Sequence, residues 1–207
     1  MDRTEAQDRI LEVQRIMERT TLYTLLPGPP AIVGGILALG ACVATALAAG
    51  SLDFAAVPAL SVGAQAALWL TWCAVGVVSV GYEILWVRAA ARRLGLDALS
   101  RPARVAAWAL SPSVLVALVL TARLFMDHRL EYLAPAWMMC YGMGLYAAGL
   151  FSVRLPRVLG LAFIATGAVG LLALPGYGIA LAGASFGLYH VAFGAAVVAR
   201  SRRPGAA

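Results

Sequence analysis

Apolar residues run along this chain in six long stretches, broken by short polar segments in which arginine recurs. The stretches cover Pro30 to Ala49, Leu60 to Tyr82, Val105 to Ala122, Leu133 to Val153, Val158 to Leu174 and Tyr177 to Ala199. Each comes close to the ~20 residues that a helix needs to cross a ~30 Å hydrocarbon core, the fifth being at the short end. Soluble domains break their apolar runs sooner. The pattern therefore predicts an all-α membrane protein, a six-transmembrane-helix bundle.

Local signals refine the boundaries. Pro27 to Pro30 open the first span, where proline is tolerated in the first turn. Gly50, Ser51 and Asp53 mark a short loop. The second helix is expected to continue past Glu83 and Trp86 until Gly95 caps it. Pro112 predicts a kink in the third span. Arg123, Asp127 and Glu131 follow at four-residue intervals, which predicts a short interfacial helix. Ahead of the spans, Asp2 to Thr20 reads as an amphipathic helix, with Ile10, Val13 and Met17 on one face and an i, i+4 pair at Glu5–Arg9. The organisation expected is an N-terminal amphipathic helix over 1–21, a six-span domain over 22–200 and a cytoplasmic tail over 201–207.

Charge then orients the bundle. All 16 basic residues are arginine, and all but Arg123 and Arg129 fall in segments on one side of the threaded spans. By the positive-inside rule this side is cytoplasmic, so both termini are expected there, in a bacterial inner membrane. At 62% hydrophobic and 13% charged, the chain has more apolar surface than a soluble core could bury. The net charge of +6 lies at span ends rather than in a patch, which argues against nucleic acid as a partner. The first helix is nearly neutral, so it is not a polybasic lipid anchor. An inverted three-plus-three repeat is disfavoured because the loops of the two halves differ in length.

The sixth span carries the most information. Gly183, Gly187, His190 and Gly194 share one narrow arc, and small residues on a stripe let a neighbouring backbone approach closely. This places His190 inside the bundle, where an ionisable residue is a functional candidate. Gly142 and Gly149 define a similar packing face on the fourth span. His190, Glu83 and Tyr189 are the candidate ligand-binding residues; the competing reading makes His190 a neutral imidazole bonded to a Ser, a Tyr or a carbonyl. Glu83 is expected to pair with an arginine such as Arg157. Haem is disfavoured, because His128 lies in an outer loop and His190 lies roughly 20 Å deeper along its helix. Met138, Met139, Cys140 and Met143 could suggest copper, but their sulfurs diverge round the helix, which favours core filling. Asp127, His128 and Glu131 read as a solvated loop rather than a metal site. Cys42, Cys73 and Cys140 show no paired spacing. No catalytic, phosphate-binding or metal motif is present, and no cofactor is expected.

Three segments carry a resemblance: RIMERTTLYTLLPG (Arg15 to Gly28), LAPAWMMCYGMGLYAAGLFSVRLPRVLG (Leu133 to Gly160) and FGLYHVAFG (Phe186 to Gly194). Together they resemble a group of uncharacterised bacterial six-span inner-membrane proteins of about this length. The resemblance implies the same topology and a recurring place for His190, and it implies no activity. The role expected from the sequence is a non-enzymatic accessory, scaffold or sensing component. Its partners are the lipid bilayer and a protein partner or a second copy. The alternative is a small transporter or ligand-binding bundle using the intramembrane histidine.

Overall fold

A computed structural model describes residues 26–93, 95, 101–150 and 154–201. The amphipathic helix expected over 1–21 and most of the tail expected over 201–207 lie outside the described residues. Every element among the described residues is helical. We label the long helices α1 (Gly28–Ala49), α2 (Val62–Arg93), α3 (Arg101–Met126), α4 (Leu133–Leu150) and α5 (Arg154–Leu172). The last, α6, spans Pro175–Ser201 and is composite. It runs from a 3₁₀ turn through Gly178–Ala182 into a π-helical segment, Gly183–Tyr189, and resumes as α-helix over His190–Ser201.

Five of these helices, all but α4, are long and apolar enough to cross a membrane. The described part of α4 is 18 residues long, and Pro135 and the glycines at 142, 144 and 149, buried along it, make it a packing helix.

The first helix starts at Gly28, with Pro29 in its first turn, and ends at Gly50, whose φ of 59° closes it with an N–H···O bond to Ala46. In α2 the chain stays helical for 32 residues, roughly 48 Å at 1.5 Å per residue. Gly95, at φ 67°, follows its end and donates to the Arg92 carbonyl, as the capping signal predicts.

Two connections differ from expectation. Between α1 and α2 the chain folds into a 3₁₀ helix, Phe54–Ala59, instead of a plain loop. Asp53 caps it by accepting from the Ala55 N–H. Its Phe54 and Val57 are buried, and Phe54 packs on Trp69 and Trp72. Gln65 fixes its end by donating to the Pro58 and Leu60 carbonyls. Between α3 and α4 the expected interfacial helix does not form. His128 adopts φ 55° and breaks the helix, and a short 3₁₀ turn, Leu130–Tyr132, follows. Arg123 pairs with Asp127 as the spacing suggests, but Glu131 turns to Arg129.

The core lies along α4, α5 and α6. Gly142 on α4 faces Gly160 on α5 so closely that a Cβ on either would stand 2.7 Å from the other's carbonyl oxygen. On the other flank α1 packs along α6, where a Cβ on Gly35 would stand 2.7 Å from the Gly187 carbonyl oxygen. Two tryptophan–threonine bonds tie on the outer helices. Trp72 of α2 donates to Thr45 of α1 at 3.1 Å, and Trp137 of α4 donates to Thr121 of α3 at 2.8 Å. Each threonine hydroxyl in turn donates to the carbonyl four residues back, so it is left free to accept.

Candidate functional site

The π-helical segment sets the geometry of the site. Gly183, Ala184 and Gly187 offer little side-chain packing, and the backbone here widens to the i→i+5 pattern that recurs at functional positions. His190 follows directly. Its Nε2 lies 2.9 Å from the Tyr141 hydroxyl, which bonds α6 to α4 across the core. Its Nδ1 is buried and turned toward the backbone carbonyls of Ser185 and Phe186, without reaching good hydrogen-bond geometry to either. The proton arrangement that strands the fewest groups places the hydrogen on Nδ1. Tyr141 then donates to Nε2.

Aromatic rings hold the pair in place. Phe163 is fully buried, and its ring centroid lies 5.1 Å from Tyr141, 5.0 Å from Phe186 and 5.4 Å from His190. Edge-on contacts at these spacings are the favoured geometry for aromatic rings. Tyr189 does not join His190. One residue earlier on the helix, it points to α5 and bonds Thr166 at 2.8 Å. Thr166 already donates to the Ala162 carbonyl, so Tyr189 is the donor in this bond.

Glu83 approaches from the third side. It sits on α2, one turn beyond Ser79, which packs against Gly34 of α1. The side chain lies deep among the helices and within electrostatic range of the Tyr141 hydroxyl, yet it remains exposed. The expected ion pair with Arg157 is absent: the described ion pairs are Arg123–Asp127 and Arg129–Glu131, both in the outer connection. Arg157 packs against Gly149 instead, with its Nε buried and unpartnered among the described residues. The Trp86 Nε1, one turn past Glu83, is likewise buried without a partner. No known family, curated protein or solved structure matches this chain. What it does must therefore be argued from its own residues.

The structure thus brings His190 and Glu83 to the same region and leaves Tyr189 outside it. Tyr141 is the residue that the sequence reading did not single out. Its place beside Gly142 does not by itself aim its ring, since neighbouring residues on a helix point in different directions. Of the glycines, Gly142, Gly149, Gly187 and Gly194 stand at tight contacts, the first and last against backbone carbonyls of Gly160 and Gly28. Gly183 has ordinary clearance, with Cys42 3.7 Å from where a Cβ would stand. The sulfur residues do not converge. Met138 and Cys140 are buried, while Met143 is exposed. Among the described residues no three His, Cys, Asp or Glu side chains gather as metal ligands would. The two best-formed surface grooves are lined by apolar residues, one around Leu159, Tyr189 and Phe193 and the other around Leu39, Cys42 and Ile179. Neither contains Glu83, Tyr141 or His190.

Proposed function

We propose that this chain is a small ligand-binding or transport bundle whose site is formed by Glu83, Tyr141 and His190. The observation that carries the reading is the Tyr141–His190 hydrogen bond, which places two ionisable side chains inside the helix core, with the Glu83 carboxylate within electrostatic range of it. Polar and ionisable groups inside a membrane protein are expensive to keep, and they mark ligand or ion pathways. A purely structural histidine would need one partner and a sealed surround. Here the partner is Tyr141, and an acidic side chain, Glu83, lies within electrostatic range of it without an ion-pair partner among the described residues.

In this reading α4 is a sixth span, held in the bilayer by its packing on α3 and α5. The positive-inside rule then puts both termini in the cytoplasm of a bacterial inner membrane. Cysteine accessibility tests both parts. In a background lacking the three native cysteines, Glu83→Cys is expected to react with a membrane-impermeant thiol reagent in inside-out vesicles. Asp127→Cys is expected to react only in right-side-out ones. Failure of Glu83→Cys to react from either side means a sealed interior and sinks the site. A swapped pattern overturns the orientation.

A second reading rests on α2. Its length exceeds the bilayer core, and its last turns carry the exposed Arg88, Arg92 and Arg93 around a buried Ala91. Such a projecting helix suits an accessory or scaffold role, with a protein partner or a second copy docked on it. A stoichiometric protein that co-purifies with the wild type and is lost from an Arg88/Arg92/Arg93→Ala variant supports it. Purification of the chain alone at native expression counts against it.

A further inference from the structure

We propose that the groove between α5 and the last turns of α6 seats one acyl chain of an anionic phospholipid, with Arg154 and Arg200 holding its phosphate. α5 packs along α6 from Pro175 to Tyr189 and draws away from it over His190–Ser201. The separation leaves a groove of about 210 Å³, walled by Leu155, Val158 and Ala162 on α5 and by Tyr189, Phe193 and Ala196 on α6. Each wall, Leu155 to Ala162 and Tyr189 to Ala196, runs about 10 Å at 1.5 Å per residue. Every lining side chain is apolar except Tyr189, and its hydroxyl is engaged by Thr166, so the groove offers a ligand no free polar side chain. A helix, about 10–12 Å across, does not enter a slot of this volume, whereas an extended hydrocarbon chain does.

Both walls end in arginine at the same end of the bundle. Arg154 precedes Val158 by four residues and Arg200 follows Ala196 by four, so each carries its wall's face one turn further. Both are exposed, and neither forms an ion pair among the described residues. No acidic residue occurs in α5 or α6 to neutralise them. At this end Val197 and Val198 of α6 lie against Gly28 at the start of α1, so it is the cytoplasmic end in the orientation proposed above. An apolar slot that ends in two cations matches the division of a phospholipid into tail and phosphate. Basic pockets between membrane helices on the cytoplasmic side recognise anionic headgroups in this way. The larger groove between α1 and α6, about 320 Å³, is equally apolar, but Asp53 follows its Leu52, and an acidic neighbour does not hold a phosphate.

Dioleoylphosphatidylglycerol and dioleoylphosphatidylcholine share their acyl chains and differ in net charge. Native mass spectrometry of the detergent-purified full chain should show one phosphatidylglycerol bound per chain and at least about tenfold weaker binding of phosphatidylcholine, a factor set by the two arginine contacts. Arg154→Gln/Arg200→Gln should weaken phosphatidylglycerol binding by about tenfold or more and bring the two lipids level. Ala192→Phe puts a ring into the α6 wall without touching either arginine, and should weaken both lipids. Unchanged thermal midpoints in lipid-free detergent would show that these losses are not misfolding. The comparison of the two lipids on the wild type needs no variant at all. Equal binding of both lipids to the wild type, or full affinity in a folded arginine variant, overturns the proposal. So does full affinity in a folded Ala192→Phe, or displacement of the lipid by free inorganic phosphate, because the headgroup alone would then account for the binding.

Discussion

The two sides of this bundle are built on opposite principles. In α5 and α6 a third of the residues in the apolar window are buried (33%), whereas in α3 the share is 6% and in α2 it is zero. Glycine accounts for much of the difference. On α4, α5 and α1, glycines stand where a neighbouring backbone passes, so helices meet at backbone distance. On α2, Gly63, Gly76 and Gly81 have nothing within contact range, and large side chains such as Leu70, Val77 and Leu85 point outward. Between α2 and α3, Trp69 packs edge-on against Phe125. A tight half therefore fixes Tyr141 and His190, and a loosely packed helix carries Glu83. In the ligand-binding reading proposed above, that difference pairs rigidly held groups with a loosely held one.

The largest test of this contrast removes the keystone of the tight half. Phe163→Ala leaves a cavity among Tyr141, Phe186, Tyr189 and His190 that close-packed backbones cannot collapse to fill. The expected cost is about 3–5 kcal/mol, read as a large drop in the thermal unfolding midpoint in detergent. A loss under about 1 kcal/mol would mean that the aromatic cluster relaxes freely, so the two halves would not differ in rigidity.

How far the sequence reached follows the same division. Helix positions were legible because twenty-residue apolar runs have few alternatives in lipid. The stripe through Gly187 and Gly194 was legible because close backbone approach demands small residues at helical spacing. The π-helical segment was not, since nothing in the seven residues Gly183–Tyr189 sets them apart from an ordinary α-helix. That register decides which way His190 points, so its partner on α4 was beyond reach too. Glu83 was noticed but assigned to Arg157, because spacing along the chain says nothing about whether α2 closes onto α5. The helix expected across Arg123 to Glu131 failed at one residue, His128, whose left-handed backbone no side-chain pattern announced.

A smaller effect comes from filling the seams. Gly142→Leu drives a side chain into the Gly160 carbonyl and the Phe163 Cβ, which belong to a backbone that cannot swing aside. Overpacking of this kind costs about 1–3 kcal/mol, occasionally more. Gly187→Leu meets chiefly the end of the Leu39 side chain, which can rotate, so its cost should be the lower of the two. Equal losses, or the reverse order, would show that the α1–α6 seam is as unyielding as the α4–α5 seam.

The smallest effect should carry the opposite sign. Gly76 lies in the middle of α2 with no atom near the place a Cβ would occupy, so Gly76→Ala adds a methyl group without a clash. Glycine in a helix interior costs about 0.5–1 kcal/mol relative to alanine, because it leaves the unfolded backbone more freedom to lose. Relief of that cost should raise the thermal midpoint slightly, while Gly142→Ala, the same change in the tight half, should lower it. The pair isolates packing from intrinsic helix preference, which is identical at the two positions. If Gly76→Ala destabilises instead, a surface does cover that face of α2, either a second copy or residues packed onto it. Glu83, two turns on along the same face, would then be covered as well.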